Sequence, residues 1–369
     1  MKTIIFQKIK LVIIIYDTIV LLISKLLFLK KRKIKKYAII NIGGLGDSIV
    51  FLSVLKSYKK DLGEDTPITI VINKDFSDIF SFLNNGDFKI YEIDVKKYSK
   101  NILYRTVKNL TFSNYSFEFV INGRGVRTGI YEDSILRFIK GKKIGLIDDK
   151  NYHVNGTSSI ISSFLNIFVY DKSINFDFKN ISHEVNRLKI LFDYAFHTKH
   201  DLKSIYLDNH LIQDKYNIGS EKKYFVLNIG AGKQFRKWPI ENFIELSNKI
   251  YKYNGLIPIF CGLEEDQKDL INSDKIINEN AINLCGKINL IDLIKILKYS
   301  EFCISNDSGP ANISCMLRTK TICVKNHFGD NRFFPYPKNL SIDEITFSKK
   351  NIYQINVDDV YNKIIQTYC

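Results

Sequence analysis

Apolar and polar residues alternate along the first half of the chain in two recurring patterns. Short β-rich apolar runs such as YAIINI from Tyr37 and ITIVIN from Ile68 predict buried strands. Segments of helical periodicity follow them at about 47–60 and 77–83. The alternation continues through KIYEI and FEFVIN to KKIGLI at 142–147, and HEVNRLKILFDYAF predicts a helix leading towards a linker. Such alternation is typical of a parallel, doubly wound α/β sheet.

The same order of elements begins again in the second half. Strands are predicted by apolar runs at 224–230, 256–262 and 301–305 and by INLCG, which ends at Gly286. Helical patterns separate them, at 240–253, 264–272 and 290–299. Two successive open α/β units predict a cleft between them, with ligands outside the carboxyl ends of the strands. We therefore expect two Rossmann-like domains, at 37–205 and 206–369.

Residues 1–36 have a different pattern. From Leu11 to Leu29 the chain is mostly apolar, but polar residues recur about every seventh position, at Lys10, Asp17 and Ser24, and so share one helical face. This predicts an amphipathic helix lying in the plane of a membrane surface, followed by a basic run through Lys36 that would attract anionic headgroups. Two alternatives stay open: a helix packed against the protein body or a dimer partner, and a membrane-spanning anchor.

The distribution of charge argues against a nucleic-acid partner. The chain has a net charge of +15, and residues 1–36, with ten basic residues and one acid, account for +9 of it. The remaining +6 is spread through a Lys-, Asn- and Ile-rich background rather than gathered in a stripe. Hydrophobic residues make up 45% of the chain, and charged residues 25%, which excludes a disordered chain.

A glycine-bearing loop lies between the first strand and its helix. It reads Asn-Ile-Gly-Gly-Leu-Gly-Asp, with Gly43, Gly44, Gly46 and Asp47, and glycines there allow close approach of a ligand. A dinucleotide fingerprint is disfavoured, because position 49 is Ile and the second strand ends in Asn73 instead of an acid for a ribose. By sequence alone Asp47 is either an N-cap of its helix or a functional carboxylate.

Two further loops carry candidate anion-binding groups. Asn228 to Pro239 contains Gly230, Ala231, Gly232, Lys233, Arg236 and Lys237 ahead of a helix, a plausible diphosphate site. Ser305 to Pro310 contains Asp307, Ser308 and Gly309, whose N–H and hydroxyl groups would meet phosphate oxygens. A solvated basic loop and an ordinary capped turn are the structural alternatives. Asn122, Arg124 and Arg127 follow the FEFVIN strand, either to hold an anionic acceptor or as an exposed basic loop.

Together these motifs carry a family resemblance over roughly 37–337. The order of Gly-x-Gly-Asp, a basic-x-Trp-Pro loop at 236–239, Gly-x-Glu at 262–264 and Asp-Ser-Gly-Pro from Asp307 resembles the bacterial heptosyltransferases of lipopolysaccharide synthesis. The resemblance implies a GT-B fold, with an N-terminal acceptor domain and a C-terminal donor domain. It also implies inverting transfer, without a metal or other cofactor, from ADP-heptose or a related nucleotide sugar.

The resemblance also assigns roles to residues. It implies that Asp47 is the general base, that Arg236 replaces the family's phosphate-binding lysine, and that Glu264 lies on the nucleotide side. The family's Asp-Thr-Gly-x-x-His motif matches Asp307, Ser308 and Gly309, with Asn312 at the position of the histidine. Asparagine in place of histidine implies that the donor sugar, or the contacts to its diphosphate, differ from those of the family.

The sequence thus predicts a glycosyltransferase on the cytoplasmic face of the plasma membrane, peripherally bound through 1–36. It would move a heptose or related sugar to a cell-surface glycan or lipid-linked acceptor. No Asp-x-Asp occurs in the chain, which agrees with metal-independent transfer. The alternatives are a nucleotide-sugar epimerase of GT-B shape and a non-catalytic membrane-surface protein; a dehydrogenase is disfavoured by the missing ribose acid.

Overall fold

The computed structural model describes residues 2–27, 34–63, 65–124, 130–148, 168–176, 183–207, 212, 215–219, 222–327 and 332–368. The chain divides into two compact units, Met1–Asp201 and Leu202–Cys369. Each unit is an α/β domain with a parallel sheet, as the alternation of strands and helices predicts.

Unit 1 alternates strands and helices along its length. Its strands are β1 Lys35–Asn41, β2 Ile68–Asn73, β3 Phe88–Ile93, β4 Ser116–Asn122, β5 Lys140–Asp148 and β6 Lys172–Phe176. Its helices are α1 Lys2–Leu27, α2 Leu45–Leu62, α3 Ser77–Asn84, α4 Val95–Lys100, α5 Ile102–Ser113, α6 Glu132–Phe138 and α7 Glu184–Ala195. The described strands pair in parallel in the order β3-β2-β1-β4-β5-β6, the doubly wound arrangement of Rossmann-like domains.

The centre of this sheet explains the fully apolar strand sequences. Ile39 of β1 lies opposite Ile70 of β2 on one side and Ile121 of β4 on the other. All three are buried, because helices cover both faces of a parallel sheet. The carboxyl ends of β1 and β4 are neighbours, since Ile40 pairs with Asn122, so the loops that follow them lie side by side.

The helix predicted at the amino terminus forms, but its polar face is turned inward. Lys10, Asp17 and Ser24 are each no more than 2% exposed, and Asp17 lies against α5 and α6. This arrangement matches the alternative of a helix packed on the protein body, and it leaves the opposite, apolar face in solvent. None of the helices within the described residues has both the length and the apolarity needed to cross a membrane.

Unit 2 repeats the topology of unit 1. Its strands are β7 Tyr224–Asn228, β8 Ile257–Cys261, β9 Ile282–Asn283, β10 Cys303–Asn306, β11 Thr321–Asn326 and β12 Glu344–Lys349. Its helices are α8 Ile240–Asn254, α9 Glu264–Ile271, α10 Leu290–Lys298, α11 Gly309–Met316 and α12 Val357–Tyr368. The described strands run in the order β12-β11-β10-β7-β8-β9, so the loops after β7 and β10 emerge next to each other.

Candidate functional site

In unit 1, the loop from β1 to α2 holds Asp47 in a defined position. Gly44 is the N-cap of α2 and donates its N–H to Asp47 Oδ2 at 3.2 Å. The alternative that Asp47 is itself the N-cap is therefore wrong, because the helix begins two residues earlier, at Leu45, and Asp47 is its third residue. The side chain closes a capping box and stays half-buried at the carboxyl edge of the sheet.

The glycines of this loop make room for that carboxylate. A Cβ on Gly43 would lie 2.6 Å from Asp47 Cβ and 3.0 Å from Cγ, so no larger residue fits while Asp47 folds back. Asn41 ties the loop to its neighbour, because its Nδ2 donates to Gly123 O at 3.1 Å and its Oδ1 accepts from Gly43 N at 3.3 Å. Gly46, the second residue of α2, is half-buried beside Asp47.

The predicted acceptor-side residues after β4 occupy a largely buried site. Asn122 is fully buried; its Nδ2 donates to Tyr170 Oη at 2.7 Å, and its Oδ1 accepts from Arg124 N at 3.1 Å. The Arg124 guanidinium pairs with the buried carboxylate of Glu132, so Arg124 does not lie in an exposed basic loop. Arg127 lies outside the described residues.

In unit 2, hydrogen bonds between side chains join the two predicted phosphate loops. The Asn228 amide, at the end of β7, donates to Ser305 Oγ at 3.1 Å and to Ser308 Oγ at 3.2 Å. Asn306, at the end of β10, donates to Ile229 O at 2.8 Å and accepts from the backbone N–H of Trp238 at 2.9 Å. The sequence motifs at 228–239 and 305–310 therefore form one site.

Lys237 has a position that the sequence does not reveal. Its Nζ lies 2.6 Å from Asp266 Oδ1 and 3.2 Å from Asp269 Oδ2. Burial alone would lower the pKa of Lys237, but these two carboxylates outweigh burial and raise its pKa above the ordinary value. Because the two carboxylates already neutralise the Lys237 ammonium group, its net attraction for a diphosphate is weaker.

The buried Asp266 carboxylate explains two glycines of the site. A Cβ on Gly230 would lie 2.6 Å from Asp266 Oδ2, and one on Gly262 would lie 2.9 Å from the same oxygen. Asp266 Oδ2 also accepts from Leu263 N at 2.7 Å, at the start of α9. Gly230 is therefore needed for packing against α9, whatever it contributes to a ligand.

Arg236 and Asp307 are charged residues of the two joined loops, and their charges interact. Arg236 is half-buried, with its guanidinium 6.0 Å from the centre of the exposed Phe235 ring. Burial raises the pKa of the Asp307 carboxyl group, and the nearby cations Lys325, Arg236 and Arg332 partly offset that rise. The carboxylate thus lies among basic groups, the electrostatic environment that a diphosphate requires.

The remaining predicted donor residues differ in their exposure. Ser308 caps α11 and Gly309 begins it, so amide groups at this helix start point outward from the joined loops. Glu264 is exposed as the first residue of α9. Ala231 is half-buried, and Gly232 and Lys233 are exposed in the loop after β7.

Asn312, where the family pattern has a histidine, is turned inward. It is 1% exposed; its Nδ2 donates to Ser308 O at 3.0 Å, and its Oδ1 accepts from Tyr336 Oη at 2.6 Å. Both ends of the amide are occupied by protein groups. Its observed contacts stabilise the start of α11 rather than present a polar group to solvent.

The sequence motifs do not reveal two further kinds of residue at the candidate sites. Lys325 is a buried cation near Asp307, and its signal was a lysine inside the apolar strand TICVKN. The second kind consists of strand-end asparagines: Asn41, Asn228, Asn306 and Asn326 each end a strand and bond to a neighbouring loop. Their signal was the repeated Asn after an apolar run.

Comparison with known proteins gives consistent matches. A model of glycosyltransferase family 9 (heptosyltransferase) matches residues 157–351. Lipopolysaccharide heptosyltransferase 1 of Campylobacter coli is 27% identical over 356 residues, which cover 90% of this chain and 89% of that protein.

Solved structures extend this similarity to the fold. E. coli heptosyltransferase WaaC with ADP-2-deoxy-2-fluoro heptose has a TM-score of 0.70 at 15% identity, covering 90% of this chain and 99% of that chain. The glycosyl transferase of family 9 from Veillonella parvula DSM 2008 also has a TM-score of 0.70 at 15% identity, covering 90% and 96%. At such identities the structural matches establish the GT-B fold.

Proposed function

The chain belongs to glycosyltransferase family 9, the heptosyltransferases, and we propose that it transfers a heptose from ADP-heptose to a lipopolysaccharide-type acceptor. The observation that carries this proposal is the joined pair of loops in unit 2. There Arg236, the start of α11 and the Asp307 carboxylate with its surrounding cations lie at adjacent strand ends. The names of the similar proteins, a lipopolysaccharide heptosyltransferase and an enzyme solved with an ADP-heptose analogue, support the donor and the acceptor class.

The proposed reaction is a single displacement that inverts the anomeric carbon. Asp47 takes the proton of the acceptor hydroxyl as its oxygen attacks the anomeric carbon, and the bond from that carbon to the diphosphate oxygen breaks. The electron pair of that bond leaves with the nucleoside diphosphate. Arg236 and the amide groups at Ser308–Gly309 stabilise the leaving group's negative charge.

We propose that this transfer needs no metal ion. The support is that the cations Lys325, Arg236 and Arg332 lie near Asp307, where they could offset the charge of a diphosphate, and that the sequence contains no Asp-x-Asp. Turnover should be unchanged by EDTA. A loss of turnover that only an added divalent ion restores would contradict this part of the proposal.

Calorimetric titration with ADP, UDP and GDP tests the donor site directly. We expect ADP to bind most tightly and Arg236→Ala to weaken it about tenfold or more, since a charge-assisted phosphate contact contributes about 1.5–3 kcal/mol. Arg318→Ala is the matched control, because Arg318 is an exposed arginine that stacks on Tyr206 beyond the opposite end of α11. Equal affinities in the wild type and Arg236→Ala would refute the site.

The acceptor class also suggests where the enzyme works. We propose that it acts on the cytoplasmic face of the plasma membrane as a peripheral protein, since a lipid-linked acceptor is presented at that surface. The basic residues of 25–36 in the sequence support electrostatic attachment. High salt should then weaken membrane association; a protein that resists alkaline carbonate and yields only to detergent would contradict peripheral attachment.

A further inference from the structure

The face of α1 turned towards unit 1 contains the polar residues Lys10, Asp17 and Ser24 together with the buried apolar residues Ile14 and Val20, and the opposite face is apolar and exposed. Between residues 9 and 24 every exposed side chain that the structure describes is apolar. We call six of them the apolar stripe; their exposed fractions run from 45% to 64%. They are Leu11, Val12, Ile15, Ile19, Leu22 and Ile23. The stripe covers one helical face over about 18 Å, a patch rarely left in water by a monomeric protein.

A buried ion pair fixes this orientation. Asp17 accepts hydrogen bonds from Arg105 Nε at 2.8 Å and Nη2 at 2.5 Å, and from Ser134 Oγ at 2.7 Å. Asp17 and Arg105 are no more than 2% exposed. Rolling the helix would leave the Arg105 charge inside the protein without its partner, which is strongly unfavourable. The stripe is therefore held outward by unit 1 itself.

Charge interactions connect α1 with α6 and with β5 of unit 1. At its amino end, Lys10 is buried close to Glu132, whose charge partly offsets the lowering of the Lys10 pKa by burial. Glu132 in turn pairs with Arg124 in the loop after β4. At the carboxyl end, Lys25 lies close enough to Lys143 of β5 to add to the effect of burial in lowering the Lys143 pKa.

We propose that the apolar stripe of α1 binds the surface of an anionic phospholipid bilayer and holds unit 1 against that surface. The inference deepens the proposed function and rests on it, because a lipid-linked acceptor would be presented to unit 1 at that surface. The orientation of α1 also differs from the in-plane helix that the sequence predicts, because the face with the polar residues packs on unit 1 instead of facing water.

Charge selects the bilayer over a second copy of the chain. Residues 25–36 contain seven Lys or Arg and no acid, and the acid within residues 1–36, Asp17, is buried in its ion pair. Pairing two stripes would bring together two copies of residues 1–36, each with a net charge of +9, whereas anionic headgroups would neutralise this charge. Each basic residue near such a surface adds to binding, and the apolar residues enter the headgroup boundary.

Vesicle flotation tests the proposal without requiring catalysis. The wild type should float with phosphatidylethanolamine–phosphatidylglycerol vesicles and much less with phosphatidylcholine vesicles. The double variant Ile15→Glu/Ile19→Glu should lose at least about tenfold in vesicle affinity, because two exposed isoleucines of the stripe are replaced by negatively charged groups that repel the headgroups. Ile276→Glu is the matched control, since Ile276 is 87% exposed in unit 2 and should leave flotation unchanged.

Two measurements separate the outcomes. Equal flotation of the double variant and the wild type would overturn the proposal. In that case, a wild type that sediments as a dimer and a double variant that sediments as a monomer would show that the stripe binds a second copy of the chain instead. ADP calorimetry tests the donor site independently. A wild type that floats but binds no nucleotide would leave the lipid surface standing and refute the proposed function instead.

Discussion

Asp47→Asn is the substitution that best separates a catalytic carboxylate from a structural one. In the structure the Asp47 side chain is half-buried and accepts a hydrogen bond from Gly44 N at 3.2 Å, at the third position of α2. Asparagine has the same shape and retains an oxygen that can accept this bond. The substitution therefore removes the negative charge and the capacity to take a proton while keeping the local geometry.

The two roles predict effects of very different size. Loss of a negative charge in the first turn of a helix costs about 0.3–1 kcal/mol, which corresponds to a fall in Tm of about 1–4 °C for a unit of this size. Loss of a general base lowers turnover about 10²–10⁴-fold, equivalent to about 3–5.5 kcal/mol in activation free energy. We expect the larger effect on kcat with nearly unchanged donor binding.

The assay is steady-state turnover with matched donor and acceptor, together with ADP calorimetry and thermal unfolding. Asp292→Asn is the matched control, because Asp292 occupies the same capping-box position in α10 and accepts from Asn289 N at 3.4 Å. Wild-type turnover in Asp47→Asn would refute the general-base role. An equal loss of turnover in Asp292→Asn would show that the effect arises from helix capping.

Three further substitutions test how unit 2 is built. Lys237→Ala removes the 2.6 Å partner of buried Asp266 and should lower the free energy of unfolding by about 3–5 kcal/mol in calorimetry; an unchanged Tm would show that the pair contributes nothing. Gly230→Ala places a Cβ 2.6 Å from the Asp266 carboxylate and should cost about 1–3 kcal/mol, measured by urea unfolding, unless the α9 start shifts freely. Asn312→Ala removes the 2.6 Å hydrogen bond from the buried Tyr336 hydroxyl and should lower the free energy of unfolding by about 1–3 kcal/mol while ADP affinity stays near wild type; a tenfold loss of ADP affinity would instead give Asn312 a role in donor binding.

The sequence determined the main architecture because its evidence is local. A strand of a parallel sheet that is covered by helices on both faces has apolar side chains on both of its faces. The uninterrupted apolar runs YAIINI and ITIVIN therefore indicate β1 and β2 directly. Helix starts and glycine loops follow each strand at short range, which places Asp47, Arg236 and Asp307 at strand ends. The family resemblance then supplied roles that periodicity alone could not.

Only the tertiary structure decided which groups these residues contact. Lys237 pairs with Asp266 and Asn312 with Tyr336, partners 29 and 24 residues away that no local pattern connects. The short β9 and the later strands of each sheet also depend on neighbours for their pairing.

The orientation of α1 shows the same limit most clearly. Polar residues recur every seven positions in α1, so the sequence alone predicts that the helix has one polar face and one apolar face. Which face turns inward depends on the partner, and here Arg105, 88 residues away, supplies a buried charge that Asp17 neutralises. The inward face also buries Ile14 and Val20, and any other orientation would leave the buried Arg105 charge without Asp17, so the packing of α5 and α6 reverses the polarity that the periodicity suggests.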